Sequence, residues 1–257
     1  MTGKRNHIRP DIRQARILEL VNQRGEASVE QLATKFAASS ETIRRDLSAL
    51  ADAGQLRKLH GGARALIPLG EGDFEARMRR NTLAKHLIAE KLAKRIKPGQ
   101  VLFLDTGSTT LICASALVKI KNLTIITNAT RIAAAFAAGS GGAAVYLLGG
   151  LYRGDNAQTV GAGTVHEIAS YQADIAILTA GCVNQTGMMD YSQQEAMVAQ
   201  SMAATSARVI ALADHSKLNK RAPFKACDLA GLTTLISDRP PDGPLTKSLQ
   251  AAGVEIL

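Results

Sequence analysis

Residues 39–63 read SSETIRRDLSALADAGQLRKLHGGA, and the two halves of this stretch keep different periods. Ile43, Leu47 and Leu50 recur at i, i+4 and i+7, which is one face of a helix, and Gly54 supplies its stop. Ser39 or Ser40 can cap the free amides at its start. Beyond Gln55, two short alternating segments flank His60, Gly61 and Gly62, the pattern of a β-hairpin. Advancing about 100° per residue from the apolar stripe puts Glu41, Arg45 and Ser48 on the outward face, with Thr42 and Arg44 on its flanks.

Working upstream, a first helix carries Ile17, Leu18 and Val21 on one stripe, has Pro10 near its start and stops at Gly25. A second, only two turns long, begins at Ser28, where Gln31 completes a capping box, and its inner face is Val29, Leu32 and Phe36. Helix, short helix, helix with a polar outer face, then hairpin is the order of a winged helix-turn-helix. A helix entering the major groove needs short polar groups at its N-terminal end, here Ser39, Ser40 and Thr42, and an arginine that can fork onto guanine or grip phosphate. Arg45 faces outward and suits a base edge; Arg44 and Thr42 suit phosphates, with Ser48 further along the same face. Arg57, Lys58, His60 and Arg64 give the wing its phosphate contacts. A competing reading has Glu41, four residues before Arg45, holding it in a surface ion pair worth a few tenths of a kcal/mol. A desolvated guanine contact at ~1–3 kcal/mol outweighs that pair when DNA is present.

The charge distribution agrees. The 257 residues carry a net charge of +9; the first 64 hold 12 Lys and Arg against 7 Asp and Glu, and the remainder 19 against 15. A small basic head on a nearly balanced body suits a polyanion partner for the head, with double-stranded operator DNA the one its helix and hairpin fit; on charge alone a merely soluble basic surface is an equal reading. The 46% hydrophobic content is that of a globular chain. No run approaches the ~18 apolar residues of a membrane span, and the first residues are too polar for the core of a signal peptide, so a cytoplasmic protein with no membrane partner is expected. Cys113, Cys182 and Cys227 are odd in number, far apart and outside any CxxC pattern. They read as small buried hydrophobes rather than a disulfide framework or metal site.

Proline, two glycines and little periodicity in RALIPLGEGD place the domain boundary near residues 65–72. The expected division is a winged helix-turn-helix over 1–66, a linker over 67–81 and a larger body over 82–257. RMRR, residues 77–80, reads as a solvated surface. From Thr82, a stripe of Ala84, Leu87, Ile88, Leu92 and Ile96 reads as a helix packed on the body and ending at Pro98 and Gly99.

Beyond it, VLFLDTG, NLTIITNA, AVYLLGG, ADIAILTAG, RVIALAD and LTTLISD alternate with helical stretches. Continuous apolar strands between helices imply an α/β body with a mainly parallel sheet covered on both faces. Such bodies bind small molecules at the C-terminal ends of their strands. In LFLDTGSTTL, Asp105 closes a strand, Gly107 admits a close backbone approach, and Ser108, Thr109 and Thr110 set hydroxyls beside the unpaired amides of a helix start. This is a cradle for phosphate or carboxylate; helix capping alone is the simpler reading of the same residues. GxxxxGK[ST] is absent, and GAGTVH from Gly161 lacks the third glycine of a dinucleotide fingerprint and follows no obvious strand. Two more strand ends carry polar groups: Thr127 with Asn128, and Asp214, His215, Ser216 and Lys217. Lys217 offers a point charge to an anion. Gly149, Gly150 and Arg153 in LLGGLYR add further donors, so the set suits a phosphate with sugar hydroxyls.

The head, with TIRRDL and HGGA its most specific segments, resembles the DNA-binding head of the DeoR family of bacterial transcriptional regulators. LDTGSTT, ITNA, LGGLYR and LADHSKL match that family's sensor half in order, so the resemblance runs through nearly the whole chain. It implies a repressor of a carbohydrate-utilisation operon, modulated by a phosphorylated sugar effector and acting as a homodimer or homotetramer. The family's sensor half is similar in fold to ribose-5-phosphate isomerase, which makes aldose-ketose isomerisation the alternative. That chemistry needs a carboxylate base. Where the isomerase carries its acidic DGADE stretch, this chain has LTAGCVN, residues 178–184, without a carboxylate. Glu195 matches the enzyme's remaining catalytic glutamate, without its expected partners. Ligand sensing without catalysis, cofactor or metal is therefore the expectation, with Glu195 among the effector-binding residues. EAMVAQSMA departs from the lysine-containing version usual in the family.

Overall fold

The structure, a computed structural model, describes residues 9–65 and 74–257, and the chain divides into two units, 1–73 and 74–257. In the first, α1 (Pro10–Arg24) begins on its proline and ends at Gly25, whose positive φ turns the chain. A strand β1 (Glu26–Ser28) leads into α2 (Val29–Phe36), whose capping box between Ser28 and Gln31 forms as the spacing predicts. α3 (Ser40–Asp52) takes Ser39 as its cap, and β2 (Leu56–Leu59) and β3 (Gly62–Ala65) make the hairpin. Ile17, Val21, Leu32, Ile43, Leu47 and Leu50 meet in one buried core. β1, which the sequence does not announce, pairs antiparallel with β3, and a Cβ at Gly62 would lie 2.4 Å from the Ala27 carbonyl oxygen. Gly62 thus serves the close approach of these strands, while Gly61, at φ +83°, makes the turn. Leu66 and residues 67–73 of the expected linker lie outside the described residues.

The second unit opens with α4 (Phe74–Arg79) and α5 (Thr82–Ala93). The stretch read as linker therefore divides, because 74–81 is structured within the body. RMRR is not uniformly solvated either: Arg77 is 9% exposed, turned inward beside buried Phe74. On α5 the stripe is rotated from expectation: Leu87 is 48% exposed, while Lys85, at 3%, takes a place on the buried face between Ala84 and Ile88. Lys85 can do so because its ammonium donates to the Arg77 carbonyl. Ile96 is buried beyond the helix end.

Then follow β4 (Val101–Leu104), α6 (Ser108–Leu117), β5 (Thr124–Thr127), α7 (Thr130–Ala137) and β6 (Ala144–Leu147). A hairpin, β7 (Leu151–Arg153) and β8 (Gln158–Val160), leads to α8 (Ala162–Ile168) and β9 (Ala173–Thr179). A small antiparallel sheet of β10 (Cys182–Asn184), β11 (Gly187–Asp190) and β13 (Phe224–Cys227) lies around α9 (Gln193–Ala204) and β12 (Ser206–Leu212) in chain order. β14 (Thr234–Ile236), α10 (Gly243–Ala251) and β15 (Glu255–Ile256) finish the chain.

The seven-stranded sheet has the order β15-β14-β12-β9-β4-β5-β6, and all its pairings are parallel. All six expected strands are present; β15 and the small antiparallel sheets are additional. Strand alternation sorts the core into two layers. Leu102, Leu104, Ile175 and Ile177 pack against α5, α6 and α7. Phe103, Ala176 and Leu178 pack under α8, α9 and α10. Cys113 lies in the first of these layers and Cys182 is buried on β10, and burial pushes both thiols up to about 12, whereas Cys227 is only half-buried. Among the described residues no helix is long and apolar enough to cross a membrane.

Connectivity fixes where a ligand can enter. From β4 the chain moves one way along the sheet through β5 and β6; β9, β12, β14 and β15 fill the other side. The segments leaving β4 and β9 diverge, so a crevice opens at their C-terminal ends, the usual ligand position in such sheets.

Candidate DNA-binding and effector sites

On the head, the outer face of α3 keeps its arginines in solvent. Arg45 has an 80% exposed side chain and lies 3.5 Å from Glu41, which is also 3.9 Å from Arg44. Both ion pairs are long and exposed, hence weak and easily exchanged. Ser39 accepts from the Thr42 amide at 3.1 Å and shares a 2.8 Å hydrogen bond with the Thr42 hydroxyl, so capping engages both. Ser48 donates to the Arg44 carbonyl at 2.9 Å and accepts from Lys58 Nζ at 2.8 Å, which ties the wing to α3. Arg57 and His60 stand exposed on the hairpin, and Ser40 is half-buried in the first helical turn. Arg64 is drawn aside to Glu26 at 2.9 Å. Arg44, Arg45, Arg57, Lys58 and His60 thus form the exposed basic surface of α3 and wing.

The sequence reading passed over what aims that helix. Asp46 is buried on the inner face of α3 and accepts from Arg13 Nε of α1 at 2.6 Å and from Gln14 at 3.0 Å. Position 46 lies three residues after Ile43 and four before Leu50, within the apolar stripe. A charge there requires a buried partner.

On the body, the Asp105 carboxylate closes β4 and organises the turn after it. Asp105 Oδ1 accepts from the hydroxyls of Thr110 and Thr179, each at 3.0 Å, and Oδ2 from the Thr179 amide at 2.9 Å. Burial raises its pKa well above the carboxylate range, against the pull of those hydrogen bonds. Asp105 and Thr110, expected among the effector's partners, are therefore committed to the scaffold. A Cβ on Gly107 would stand 2.3 Å from Thr179 Oγ1, so the turn depends on glycine to pass that hydroxyl. Ser108 and Thr109 are buried at the start of α6, and no hydrogen bond engages their hydroxyls. They stand beside the unpaired first amides of the helix.

Three more groups gather at neighbouring strand ends. Asn128, after β5, is buried; its amide donates to the Thr159 carbonyl at 2.8 Å and to Gln158 at 3.3 Å, while its own Oδ1 has no partner. Lys217, in a 3-10 turn after β12, donates to the Ala180 carbonyl beyond β9 at 3.3 Å, and burial pulls its ammonium down to about 8. Glu195, in the first turn of α9, accepts from Asn156 at 3.2 Å. Its pKa is raised by burial against the opposing effects of Gln158, Arg77 and Asn156. Asp190, on β11, is pushed up to about 7 by burial and then by the nearby charge of Glu195. This acidic neighbour comes from outside the 178–184 segment in which the sequence reading sought one.

Gly149, Gly150 and Arg153 take other roles. The Gly149 amide donates to Glu167 at 2.7 Å and its carbonyl accepts from Thr164, also at 2.7 Å. A Cβ on Gly150 would fall 2.1 Å from Thr164 Oγ1, so this pair lets the chain close against α8. Arg153 is exposed on β7 with Asp155 at 3.8 Å, and no described hydrogen bond joins it to the β4, β5, β9 or β12 ends. The segment at Gly161 does follow a strand, β8, but that strand belongs to an antiparallel hairpin, so the dinucleotide fingerprint stays absent. Residues the sequence did not single out, Arg77, Asn156, Gln158, Thr179 and Asp190, complete the crevice network. Three of them stand on short, polar or irregular segments without a periodic signature.

Residues 13–67 match the DeoR-like helix-turn-helix domain, and residues 80–239 the DeoR C terminal sensor domain. The chain is 30% identical to the HTH-type transcriptional repressor CsqR of Escherichia coli K12, over 95% of this chain and 94% of that one. It is 31% identical to the glycerol-3-phosphate regulon repressor of Haemophilus influenzae, over 92% of each chain. It is 29% identical to the HTH-type transcriptional repressor GlcR of Bacillus subtilis, over 94% and 93%. Among solved structures, ribose 5-phosphate isomerase A of Methanocaldococcus jannaschii aligns at 19% identity and a TM-score of 0.41, over 55% and 56% of the two chains.

Proposed function

This chain belongs to the DeoR family of transcriptional regulators, and from that premise we propose that it represses a carbohydrate-utilisation operon and is relieved by a sugar phosphate. The effector's phosphate sits on the first amides and hydroxyls of α6 at Ser108 and Thr109, with Lys217 as its cation. Its hydroxyls reach Asn128 and Glu195. The single observation that carries this reading is the buried Asn128 Oδ1, which has no partner, at a strand end beside the point where the strand order reverses. A buried polar group without an internal partner is costly unless a ligand or water supplies one. A relative agrees in kind, the glycerol-3-phosphate regulon repressor of Haemophilus influenzae.

On DNA, α3 enters the major groove and the wing lies on the backbone. Two heads on half-sites separated by whole turns of ~10–10.5 bp require a homo-oligomer. The edge strand β6 and the start of β7 support one, because Tyr146, Leu147, Leu151 and Tyr152 are all exposed along the uncharged run from 143 to 152.

The body binds without turning its ligand over. Glu195 is held by Asn156, and its neighbour Asp190 shares the field of the same arginine, so neither is an isolated base facing substrate. A thermal-shift panel of sugar phosphates on the purified chain tests the reading: a ligand at 100 times its dissociation constant adds about 2.7 kcal/mol of stability. The same ligand should weaken operator binding. Turnover of ribose 5-phosphate would favour the isomerase instead.

A further inference from the structure

Arg77 joins two things that are otherwise separate in the chain. Its backbone belongs to α4, the first helix after the segment 66–73 that follows the wing. Its guanidinium lies at the effector crevice, where Nη2 donates to Asn156 Oδ1 at 2.5 Å, and Asn156 in turn donates to Glu195. The field of Arg77 acts on both Glu195 and Asp190. Asn156 also accepts, through its carbonyl, from Thr106 at 3.4 Å, so the same loop touches the phosphate-seat turn.

Around this link α4 is held by groups that respond to one another. Lys85 donates to the Arg77 carbonyl, and the Arg131 guanidinium lies 4.1 Å above the Phe74 ring while its Nη1 reaches Glu75 at 2.9 Å. Asn81, between α4 and α5, donates to Asp214 at 2.9 Å and to Ser216 at 3.2 Å, at the end of β12. A basic side chain on a surface helix has no need of such enclosure. Burying a guanidinium is expensive, and its partners here are the residues that an effector's hydroxyls would address.

We infer that Arg77 is the positioning residue through which effector binding acts on α4, and hence on the chain leading to the DNA-binding head. The inference rests on the sensing function proposed above and names its route. An effector whose hydroxyls take up Asn156 and Glu195 changes what holds the guanidinium, and α4 follows its own side chain. Such a ligand meets the thermodynamic requirement for a switch, because it interacts differently with the two placements of α4.

The test uses the full chain and three probes: ribose 5-phosphate, fructose 6-phosphate and glycerol 3-phosphate. For whichever raises the wild-type Tm most, operator affinity is measured with and without it in wild type, Arg77→Ala, Arg77→Lys and Asn156→Ala. Wild type is expected to change operator Kd about tenfold or more. Arg77→Ala should still show the Tm rise but change operator Kd less than about twofold, with Arg77→Lys intermediate, because an ammonium lacks the planar fork; Asn156→Ala, which also removes an effector contact, should weaken the Tm rise and the operator response together. Hydrogen exchange of residues 74–85 should respond to the probe in wild type and not in Arg77→Ala. Should Arg77→Ala not fold, Arg77→Lys and the wild-type exchange decide the matter. A full wild-type response in the variants defeats the coupling role alone. No response to any probe in wild type defeats the sensing function, and this route with it.

Discussion

Arg13 of α1 and Asp46 of α3 form a buried ion pair at 2.6 Å beneath the face that presents Arg44 and Arg45 to solvent. The pair sets the rotation of α3 about its own axis: Asp46 must point inward, so Arg45, one residue before it, cannot. Removing one partner strands the other charge in the core, at a cost of about 3–5 kcal/mol, whereas replacing both by apolar groups is often neutral. Asp46→Ala should therefore abolish operator binding and add an early unfolding transition in denaturant. Arg13→Met with Asp46→Leu should recover most of the stability. Wild-type denaturation of Asp46→Ala would remove the pair from the account.

On the proposed function the two exposed arginines divide their work. Arg45→Ala should lose preference at one base pair of the half-site, about 1–3 kcal/mol, while Arg44→Ala should weaken all sequences alike and lower the salt slope by about 1. Glu41 restrains both, so Glu41→Ala should raise affinity for any duplex by a few tenths of a kcal/mol. Binding titrations against single-base operator variants at two salt concentrations separate these outcomes. Equal losses of specificity from both arginines would end the division.

At Gly107 the space argument is stronger than any conformational one. Thr179 Oγ1, which a new Cβ would meet, is fixed by Asp105, by the Thr106 carbonyl at 2.8 Å and by Thr110 at 2.9 Å, so it cannot swing aside. Gly107→Ala should cost about 1–3 kcal/mol and erase the thermal shift with any sugar phosphate. Operator binding by the free protein should survive. An undiminished ligand response in this variant would place the anion seat elsewhere.

How much of this was open to a reader of the sequence depends on whether a residue obeys a period. Ile43, Leu47 and Leu50, the Ser28 capping box and the six main strands all declare themselves by spacing, and each is in place. β1 and β15 are too short to carry a pattern, and only long-range pairing makes them strands. Charged residues inside apolar stripes were legible in principle: Asp46 falls between Ile43 and Leu50, and Lys85 between Ala84 and Ile88. Reading them as buried required naming partners, Arg13 and the Arg77 carbonyl, that lie on other elements. The proposed effector crevice was half legible for the same reason. Strand ends point to Ser108, Thr109, Asn128 and Lys217, but Asn156 and Asp190 arrive from loops and a short antiparallel sheet. The glycines of LLGGLYR belong to packing against α8, a role that local sequence does not distinguish from ligand approach.

Asp190 and Glu195 make the body's stability depend on pH. Asp190 is raised from 3.8 to about 7, so the folded state holds a proton that the unfolded chain releases. Stability is therefore fully present below about pH 4 on this account and falls as pH rises toward 7. Asp190→Asn removes that loss: its advantage over wild type should open above pH 4, level off above pH 7, and amount there to something on the order of 2 kcal/mol. Parallel Tm profiles of variant and wild type would refute this if the two stayed equidistant from pH 4 to 8.

Lys217 gives the proposed effector site a pH dependence of its own, and above neutrality it can be read separately. Burial lowers its ammonium to about 8 in the free protein, so a phosphate arriving at pH 7 meets a cation and one arriving at pH 9 meets, for the most part, an amine. A sugar phosphate is already doubly ionised across that range, so its own titration adds nothing. Affinity should fall about tenfold between pH 7 and pH 9, one proton being taken up on binding at the upper end. In Lys217→Arg, which stays charged, the fall should vanish; in Lys217→Met the affinity should be low at every pH. Calorimetric titrations with the best probe at pH 7, 8 and 9 measure all three. A tenfold fall that persists in Lys217→Arg would assign the titrating group to another residue, Lys85 first, since its ammonium is also pulled down to about 8 by burial.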